Sequence, residues 1–322
     1  MEKKAAKLII QIPCLNEAST LPNILRKIPS RIENISVIET LVIDDGSTDG
    51  TGEIAKNLGI NHVIRFTSRK GLAKAFITGL DTALKLGADI IVNLDGDGQY
   101  DPADIPRLIR PIAEGRADMV IGNRCVENLR HFSMFKKILQ KLGSRIVRMA
   151  SNTSVPDATS GFRAFSREAA LSINVLSDFT YTIETLIQAG NQNIALEHVP
   201  VTAKKVHRAS RLFRGIGEYV KKSVLTIIRV YAMYKPLKVF SSIAGVVLLI
   251  GIFFFLRFMY LRFAVPGARP IQHLIVSAVI MLFGFQIFMI GLLADLISAN
   301  RKLIENTLKR VKNLELTGNK KD

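Results

Sequence analysis

Short apolar runs alternate with amphipathic stretches over residues 1–200. The runs are rich in Ile, Val and Leu, which is typical of buried strands, and the stretches between them have helical spacing. The predicted strands are Leu8–Ile12, Val37–Ile43, His62–Phe66, Ile90–Leu94 and Met119–Ile121. The predicted helices lie near Leu21–Lys27, Gly52–Asn57, Leu72–Leu86 and Ala103–Ala113. This order predicts an α/β fold, with a mostly parallel sheet and helices on both of its faces.

Two much longer apolar runs follow this region. Val239–Leu256 has 18 residues and Leu274–Ala294 has 21, and neither contains a charged side chain. A bilayer core of about 30 Å needs about 20 helical residues. A short connection containing Pro266, Gly267 and Pro270 joins the runs. The pattern predicts a transmembrane hairpin, and two buried core helices are the alternative.

The positive charge of the chain is concentrated next to the first long run. The net charge is +17, but residues 1–199 hold 24 basic and 22 acidic side chains. Residues 200–238 hold ten Lys or Arg and one acid, Glu218. A basic block beside an apolar span indicates a partner that carries phosphates, such as a lipid bilayer. Nucleic acid is the alternative partner, but no nucleic-acid-binding motif is present and a long apolar run follows at once, so we expect no nucleic acid.

The flanking charges also predict an orientation. Basic residues precede the first run and follow the second, where five Lys or Arg lie between Arg301 and Lys312. Cytoplasmic flanks carry such an excess. The two cysteines, Cys14 and Cys125, are compatible with a reducing cytosol. We therefore expect a multi-pass cell-membrane protein with its amino-terminal domain and both termini in the cytoplasm.

Polar clusters close three of the predicted strands. They are IPCLNE from Ile12, VIDDGSTDGT from Val42 and NLDGDGQYDP from Asn93. Asp95 and Asp97 are two residues apart, so in extended chain their carboxylates share a face. With the nearby Gln99 amide oxygen they suit Mg²⁺ or Mn²⁺ bound jointly with substrate phosphates. A solvated turn is the alternative for a single Asp-x-Asp, but three clusters at three strand ends favour a ligand site.

These stretches, together with KGLAKA from Lys70, VIGNR from Val120 and DATSGFRAFSRE from Asp157, resemble the family-2 glycosyltransferases. Within that family the chain is similar to dolichyl-phosphate mannosyltransferases and bacterial polyprenyl-phosphate glycosyltransferases. The resemblance covers roughly residues 8–215 and implies the Rossmann-like GT-A fold, followed by the hairpin.

The resemblance also implies site residues. Those of the nucleotide-sugar site would be Pro13, Leu15, Glu17, Ile43, Asp45, Asp95, Gly96, Asp97, Gln99 and Arg124. Those of the metal would be Asp95, Asp97 and Gln99. The residues around the acceptor phosphate would be Arg124, Ser160, Arg163, Arg208 and Arg211. The residues with a catalytic role would be Asp97, Arg124, Arg163 and Arg211. A structural role is the alternative for Arg163. The basic stretch VHRASRLFRG, from Val206, departs from the family pattern and leaves its individual phosphate contacts open.

The implied reaction is metal-dependent, inverting transfer of one hexose to polyprenyl or dolichyl phosphate on the cytoplasmic leaflet. UDP-hexose is the favoured donor and GDP-mannose the other candidate. The product would be a lipid-linked sugar for cell-envelope or protein glycosylation. An acceptor phosphate with a second pKa of about 6 is already ionised, so no general base is required. Glu184 is the best carboxylate for a base, with a buried helix position as its alternative.

Four segments are predicted, and two other functions remain open. The segments are a catalytic domain at 1–213, a basic amphipathic helix at 214–236, a hairpin at 237–299 with spans at about 239–260 and 274–296, and a basic tail at 300–322. A processive polysaccharide synthase would need a Gln-x-x-Arg-Trp segment, and the chain has no tryptophan. An inactive membrane scaffold of the same fold is the second alternative. Homo-oligomerisation is left open.

Overall fold

The computed structural model describes residues 6–124, 147–148, 151, 153, 155–175, 181–204, 225, 231–265 and 269–318. Its strands are β1 (Ala6–Cys14), β2 (Ile35–Asp44), β3 (His62–Arg65), β4 (Ile90–Asn93), β5 (Met119–Asn123), β6 (Arg163–Ser166) and β7 (Leu196–Pro200). Its helices are α1 (Leu21–Leu25), α2 (Thr51–Asn57), α3 (Leu72–Lys85), α4 (Ile105–Ala113), α5 (Arg167–Ser172), α6 (Tyr181–Asn191), α7 (Pro236–Ala264) and α8 (Ile271–Gly318). The chain divides into two compact units, one of Met1–Ile227 with Leu308–Asp322 and the other of Ile228–Thr307.

The strands form one seven-stranded sheet in the order β3-β2-β1-β4-β6-β5-β7. Only β6 runs antiparallel to its neighbours, β4 and β5. All five predicted strands and the mostly parallel arrangement are confirmed, whereas β6 and β7 were not predicted. Because β1, β2 and β4 are adjacent and parallel, their carboxyl ends meet at one edge of the sheet. Ligands of open α/β sheets bind at such an edge.

Side chains of the central strand alternate between two helical layers. Leu8, Ile10 and Ile12 of β1 pack into a core with residues of α1, α2 and α4. Gln11 points to the opposite face, where its Nε2 donates to the carbonyl oxygen of Phe76 in α3. This alternation follows from the two-residue period of a strand. The prediction of helices on both faces is confirmed.

Helix α7, with 29 residues, lies in the second unit, and so does the part of the 48-residue α8 that ends at Thr307. Both are long and apolar enough to cross a membrane, and only 11% and 17% of their most apolar windows are buried. Core helices of a soluble protein would be mostly buried, so this exposure favours the hairpin over the alternative of two core helices. The length and the exposed apolar surface of the two helices are those expected of a membrane-associated chain.

Small residues bring the two long helices together. Ser277, Gly284 and Gly291 recur every seven residues along α8 and are buried. A Cβ at Gly284 would lie 2.8 Å from the Leu248 side chain, and a Cβ at Gly291 would lie 2.7 Å from Cβ of Phe240. Close approach at small residues is the usual way in which helices pack in lipid, where apolar burial offers no driving force.

The domain boundaries predicted from sequence remain predictions. The amphipathic helix expected at 214–236 lies mostly outside the described residues. Helix α8 continues without a break into the predicted tail as far as Gly318. Its last residues group with the first unit, where Nζ of Lys312 lies 2.9 Å from Oδ1 of Asp81 in α3.

The packing of α3 on the sheet generates a stability prediction. A Cβ at Gly79 would overlap Oε1 of Gln11 and lie 2.9 Å from Cδ1 of Ile43. We expect Gly79→Ala to destabilise the chain by about 1–3 kcal/mol, the usual cost of overpacking a core. Thermal unfolding of the full chain in detergent is the measurement. The exposed Lys74→Ala variant on the same helix is the control, and an equal melting temperature for both variants would contradict the prediction.

Candidate active site

Three acidic loops lie together at the carboxyl edge of β1, β2 and β4. The backbone N–H of Asp45 donates to the carbonyl of Cys14 at 2.9 Å, and the N–H of Glu17 donates to Oγ1 of Thr51 at 2.9 Å. The Thr20 hydroxyl then donates to the carbonyl of Gly96 at 2.8 Å. These bonds join the loops after β1, β2 and β4. Strand adjacency therefore brings together clusters that are far apart in sequence.

The residues predicted to line the nucleoside pocket lie on the first two of these loops and their strands. Pro13 and Ile43 are paired in register on β1 and β2, and both are buried. Leu15 is half-buried. Oε2 of the buried Glu17 lies 3.0 Å from Oγ1 of Thr20. The structure thus brings this group together, and its role in binding a nucleoside remains a prediction.

Asp45 organises the loop before α3. Its carboxylate accepts hydrogen bonds from the backbone N–H groups of Lys70, at 2.6 Å, and Gly71, at 3.0 Å. Gly71 adopts a positive φ of 93° at the start of the helix. The carboxylate therefore fixes the backbone just before α3 and places a negative charge near the amino terminus of that helix, which the helix dipole favours. Its predicted contact with a nucleobase would be made from this fixed position.

The Asp-x-Asp loop is tightly packed against β1. A Cβ at Gly96 would lie 2.8 Å from Sγ of Cys14, so only glycine fits there. Oδ1 of Asp97 accepts the backbone N–H of Gln99 at 2.9 Å, which turns the loop back on itself. Burial first, and the negative charge of Asp97 second, raise the pKa of Asp95 to about 7.

The donor set of this loop fits a hard divalent cation. Asp95, Asp97 and Gln99 offer only oxygen ligands, and a nearby cation would relieve the like-charge repulsion and the desolvation of the two carboxylates. Among the described residues no group of three His, Cys, Asp or Glu could hold a metal by itself. The set therefore suits Mg²⁺ or Mn²⁺ that takes its remaining ligands from phosphate oxygens and water.

Arg124 extends this site from the end of β5. Its Nε lies 2.7 Å from Oδ2 of Asp157, its Nη2 lies 2.9 Å from Oδ1 of Asp157, and Nη2 also donates to Oγ1 of Thr159 at 2.7 Å. Nη1 points to Oε1 of Gln99 at 3.5 Å. Burial alone would raise the pKa of Asp157, but the charge and hydrogen bonds of Arg124 outweigh it and lower that pKa. Because Asp157 holds the guanidinium through two nitrogens, the positive charge of Arg124 is fixed beside the Asp-x-Asp loop.

The predicted acceptor residues are placed very differently from one another. Ser160 is buried, and its Oγ lies 3.3 Å from the Tyr100 hydroxyl. Arg163 is completely buried, and its guanidinium donates to the carbonyls of Ser160 and Ala158 and to the hydroxyl of Thr185. Contact of Arg163 with an acceptor phosphate remains a prediction, and this burial favours the structural alternative.

Two other predicted acceptor residues, Arg208 and Arg211, lie outside the described residues.

Glu184, the candidate carboxylate base, is buried within α6 and is only 1% exposed. Its Oε1 lies 3.4 Å from Nε2 of Gln188. The buried helix position given as its alternative is therefore observed.

Sequence reasoning missed four polar residues of this region. Asp157 was seen only as part of a motif, although it is the partner of Arg124. Gln11, Asn93 and Tyr181 are completely buried and form a hydrogen-bonded chain behind Asp95. The sequence did contain a signal for Gln11 and Asn93, because each is a polar residue that interrupts an apolar run, LIIQI and IIVNL respectively.

The fold is that of the GT-A glycosyltransferases, as predicted. The chain superimposes on the crystal structure of glucosyl-3-phosphoglycerate synthase from Mycobacterium tuberculosis with a TM-score of 0.58 at 23% identity. The match covers 71% of this chain and 80% of that protein. The sequence profile of glycosyl transferase family 2 matches residues 9–173, and the chain belongs to that family.

Individual relatives narrow the likeness within the family. The chain is 30% identical over 319 residues to glycosyltransferase AglJ of Haloferax volcanii, with 95% of this chain and 97% of the relative covered. It is also 30% identical to polyprenol monophosphomannose synthase of Mycolicibacterium smegmatis, covering 61% of this chain and 77% of the relative. A third relative is undecaprenyl-phosphate mannosyltransferase of Micrococcus luteus, at 28% identity, covering 69% and 93%. The predicted resemblance is confirmed.

The Arg124–Asp157 pair generates a second prediction. Arg124→Met leaves a buried carboxylate without its cation, which typically costs about 3–5 kcal/mol of stability. The double variant Arg124→Met/Asp157→Asn leaves no such charge and is expected to melt at a higher temperature than Arg124→Met. Thermal unfolding at pH 7 tests this order, and the reverse order would contradict it.

The same pair predicts a pH dependence. A carboxyl with a lowered folded pKa contributes stability that is present above its unfolded pKa, about 3.9, and that is lost as the pH falls through the folded pKa. In Arg124→Met the effect of burial is no longer offset, so the pKa of Asp157 would be raised and protonation would relieve the variant at a higher pH. The difference in melting temperature between the wild type and Arg124→Met is therefore expected to narrow as the pH falls from 7 towards 4 and further below it. A difference that stays constant over pH 7 to 3.5 would contradict the assignment.

Proposed function

We propose that this enzyme transfers one hexose, with inversion, from a nucleoside diphosphate sugar to polyprenyl or dolichyl phosphate at the cytoplasmic face of a membrane. The observation that carries the proposal is the convergence of the Asp-x-Asp loop and the Arg124–Asp157 pair at the carboxyl edge of the sheet. The membrane setting rests on α7 and α8. The names of the relatives, which include polyprenol, undecaprenyl-phosphate and dolichyl-phosphate transferases, support the acceptor class.

The donor diphosphate would lie against the Asp-x-Asp loop. Asp95, Asp97 and Gln99 would hold Mg²⁺ or Mn²⁺ there, and the bound ion would stabilise negative charge on the leaving diphosphate. The similar M. tuberculosis structures include complexes with Mn²⁺ and UDP and with Mg²⁺ and UDP. Arg124 would add a fixed positive charge beside the same loop, held in place by Asp157.

The acceptor needs binding and orientation rather than deprotonation. A phosphate monoester is largely dianionic at neutral pH, so its oxygen attacks the anomeric carbon directly. The burial of Glu184 within α6 agrees with a mechanism that uses no carboxylate base. Arg208 and Arg211 are the proposed contacts for the acceptor phosphate, because they belong to the basic block that precedes the hairpin.

UDP-hexose is the donor that we favour, and GDP-mannose is the other candidate. Relatives named as mannosyltransferases and as a UDP-N-acetylglucosamine transferase of Methanococcus voltae both match the chain, so the sugar and base are left to experiment. We expect the lipid-linked hexose to serve cell-envelope or protein glycosylation. A processive synthase is disfavoured by the absence of tryptophan, and an inactive scaffold is disfavoured by the intact acidic loops.

The product identifies the function. Full-length protein in detergent would be incubated with Mn²⁺, undecaprenyl or dolichyl phosphate, and a panel of UDP- and GDP-hexoses, and the lipids would be analysed by mass spectrometry. We expect a lipid phosphate that carries a single hexose from one donor of the panel. A growing polymer would favour the synthase instead, and no lipid product with any donor would contradict the proposal.

The metal assignment makes a quantitative prediction. Asp97→Ala removes a proposed metal ligand and is expected to lower kcat by at least about 100-fold, the scale of losing one major transition-state contact. Excess EDTA should abolish turnover by the wild type, and Mn²⁺ should restore it. Asp49→Ala, in the neighbouring loop, is the matched control and should retain activity within about tenfold. Full activity of Asp97→Ala, or of the wild type in EDTA, would contradict the assignment.

The proposed topology predicts which sites an impermeant thiol reagent reaches. In a background with Cys14 and Cys125 replaced by serine, Ala268→Cys between the spans should be labelled in intact cells. Asn319→Cys in the tail should be labelled only after the membrane is opened. Labelling of Asn319→Cys in intact cells would reverse the orientation, and labelling of both positions only after opening would rule out a spanning hairpin.

A further inference from the structure

A chain of buried polar side chains runs through the sheet and ends at Asp95. Nε2 of Gln11 donates to Oδ1 of Asn93 at 2.8 Å. Nδ2 of Asn93 donates to the Tyr181 hydroxyl at 2.9 Å, and that hydroxyl lies 3.4 Å from Oδ1 of Asp95. The first three side chains are 0% exposed. Burying polar side chains in a core costs free energy unless they are hydrogen-bonded, so packing alone does not account for this row of polar side chains.

The partners of Asn93 fix the direction of the chain. Its Nδ2 also donates to the carbonyl oxygen of Gly161 at 2.9 Å, and a carbonyl can only accept. The amide nitrogen therefore faces Tyr181, and the Tyr181 oxygen is the acceptor of that bond. The hydroxyl hydrogen of Tyr181 is left to donate to Asp95 or to the Gly161 carbonyl, which is 3.3 Å away. The donors of Gln11 and Asn93 thus point along this row of side chains to the Tyr181 hydroxyl, which lies against the Asp95 carboxylate and the Gly161 carbonyl.

Tyr181 joins the two loops of the site. Its ring is stacked on Phe76 of α3, with centroids 3.9 Å apart and planes 6° apart. A Cβ at Gly161 would overlap Oδ2 of Asp95 and lie 2.8 Å from the Tyr181 hydroxyl. The Tyr181 hydroxyl, the Asp95 carboxylate and the Gly161 backbone are therefore in mutual contact, and Tyr181 places its hydroxyl between the two loops from the first residue of α6.

We infer that Tyr181 is a positioning residue, whose hydroxyl orients the Asp95 carboxylate towards the metal and diphosphate and holds the Gly161 loop against it. Asn93 and Gln11 support the hydroxyl from inside the sheet. This inference rests on the proposed function, because it assigns Tyr181 a part in the same donor site. Tyr181 does not touch the reacting atoms, so its effect is expected in how well the loop binds a cation with a nucleoside diphosphate.

Tyr181→Phe tests the inference, because it removes the hydroxyl and keeps the ring on Phe76. Full-length protein in detergent would be titrated with MnCl₂ at saturating UDP and, separately, GDP, and binding would be followed calorimetrically without acceptor. Loss of one hydrogen bond, on the scale of about 1 kcal/mol, should raise the Mn²⁺ concentration for half-saturation about 3- to 10-fold. Gln11→Met, at the far end of the chain, should shift it in the same direction by less.

The matched control is Tyr234→Phe. The Tyr234 hydroxyl is also buried and donates to Oε1 of Glu305 at 3.0 Å, but it belongs to the second unit. This variant should lower the melting temperature without changing the Mn²⁺ titration. If the Tyr181→Phe titration superimposes on that of the wild type, or shifts only as much as that of Tyr234→Phe, then Tyr181 is a core residue and the inference is wrong.

The binding experiment separates the inference from the proposed function. Suppose that the wild type binds a nucleotide with Mn²⁺ and Tyr181→Phe shows the shift, but no sugar reaches a lipid phosphate. The proposed acceptor is then wrong and the role of Tyr181 stands. If the wild type binds neither UDP nor GDP with Mn²⁺, the inference is overturned together with the metal part of the proposal.

Discussion

The placement of two carboxylates, Asp95 and Asp97, at a partly desolvated sheet edge is the constraint on which the site depends. Like charges in such a place repel each other and lose hydration, and this is what raises the pKa of Asp95. The neighbouring structure offsets the cost with directed dipoles and a fixed cation. The backbone N–H of Gln99 donates to the Asp97 carboxylate, and the Tyr181 hydroxyl lies beside the Asp95 carboxylate. The Arg124 guanidinium lies beside the side-chain oxygen of Gln99. The loop is therefore held in a form that a divalent cation would stabilise further.

Much of the fold could be predicted, because the central strands are buried on both faces and read as apolar runs. β1 and β4 are examples, with every described residue of β4 buried. β6 and β7 escaped prediction for physical reasons. β7, LEHVP, is an edge strand without a fully buried residue, so its sequence lacks the apolar signal. β6 has only four residues and begins with the buried Arg163, whose partners become known only from the folded chain.

The site was predictable where it depends on local sequence and unpredictable where it depends on contacts across the fold. Asp95, Asp97 and Gln99 stand in one loop, and their oxygen ligands could be recognised directly. The partnership of Arg124 with Asp157 spans 33 residues, and that of Asn93 with Tyr181 spans 88. No periodicity encodes such pairs, because they arise from the order in which strands and helices pack. The same limit applies to Arg163, for which the resemblance implied a ligand contact, whereas its guanidinium lies in the core.

The seven-residue spacing of small side chains on α8 has a consequence for biogenesis. Each long helix has the length and composition to enter a bilayer by itself, so pairing would follow insertion and depend on close packing at the small residues and on the hydrogen bond from Ser277 to the Gly251 carbonyl. A large residue in place of Gly284 would leave the route into the membrane intact and block the association of the two helices. The resulting defect would be one of assembly, because both helices would be inserted but unpaired. Quality-control proteases would then act on the inserted protein, after translocation is complete.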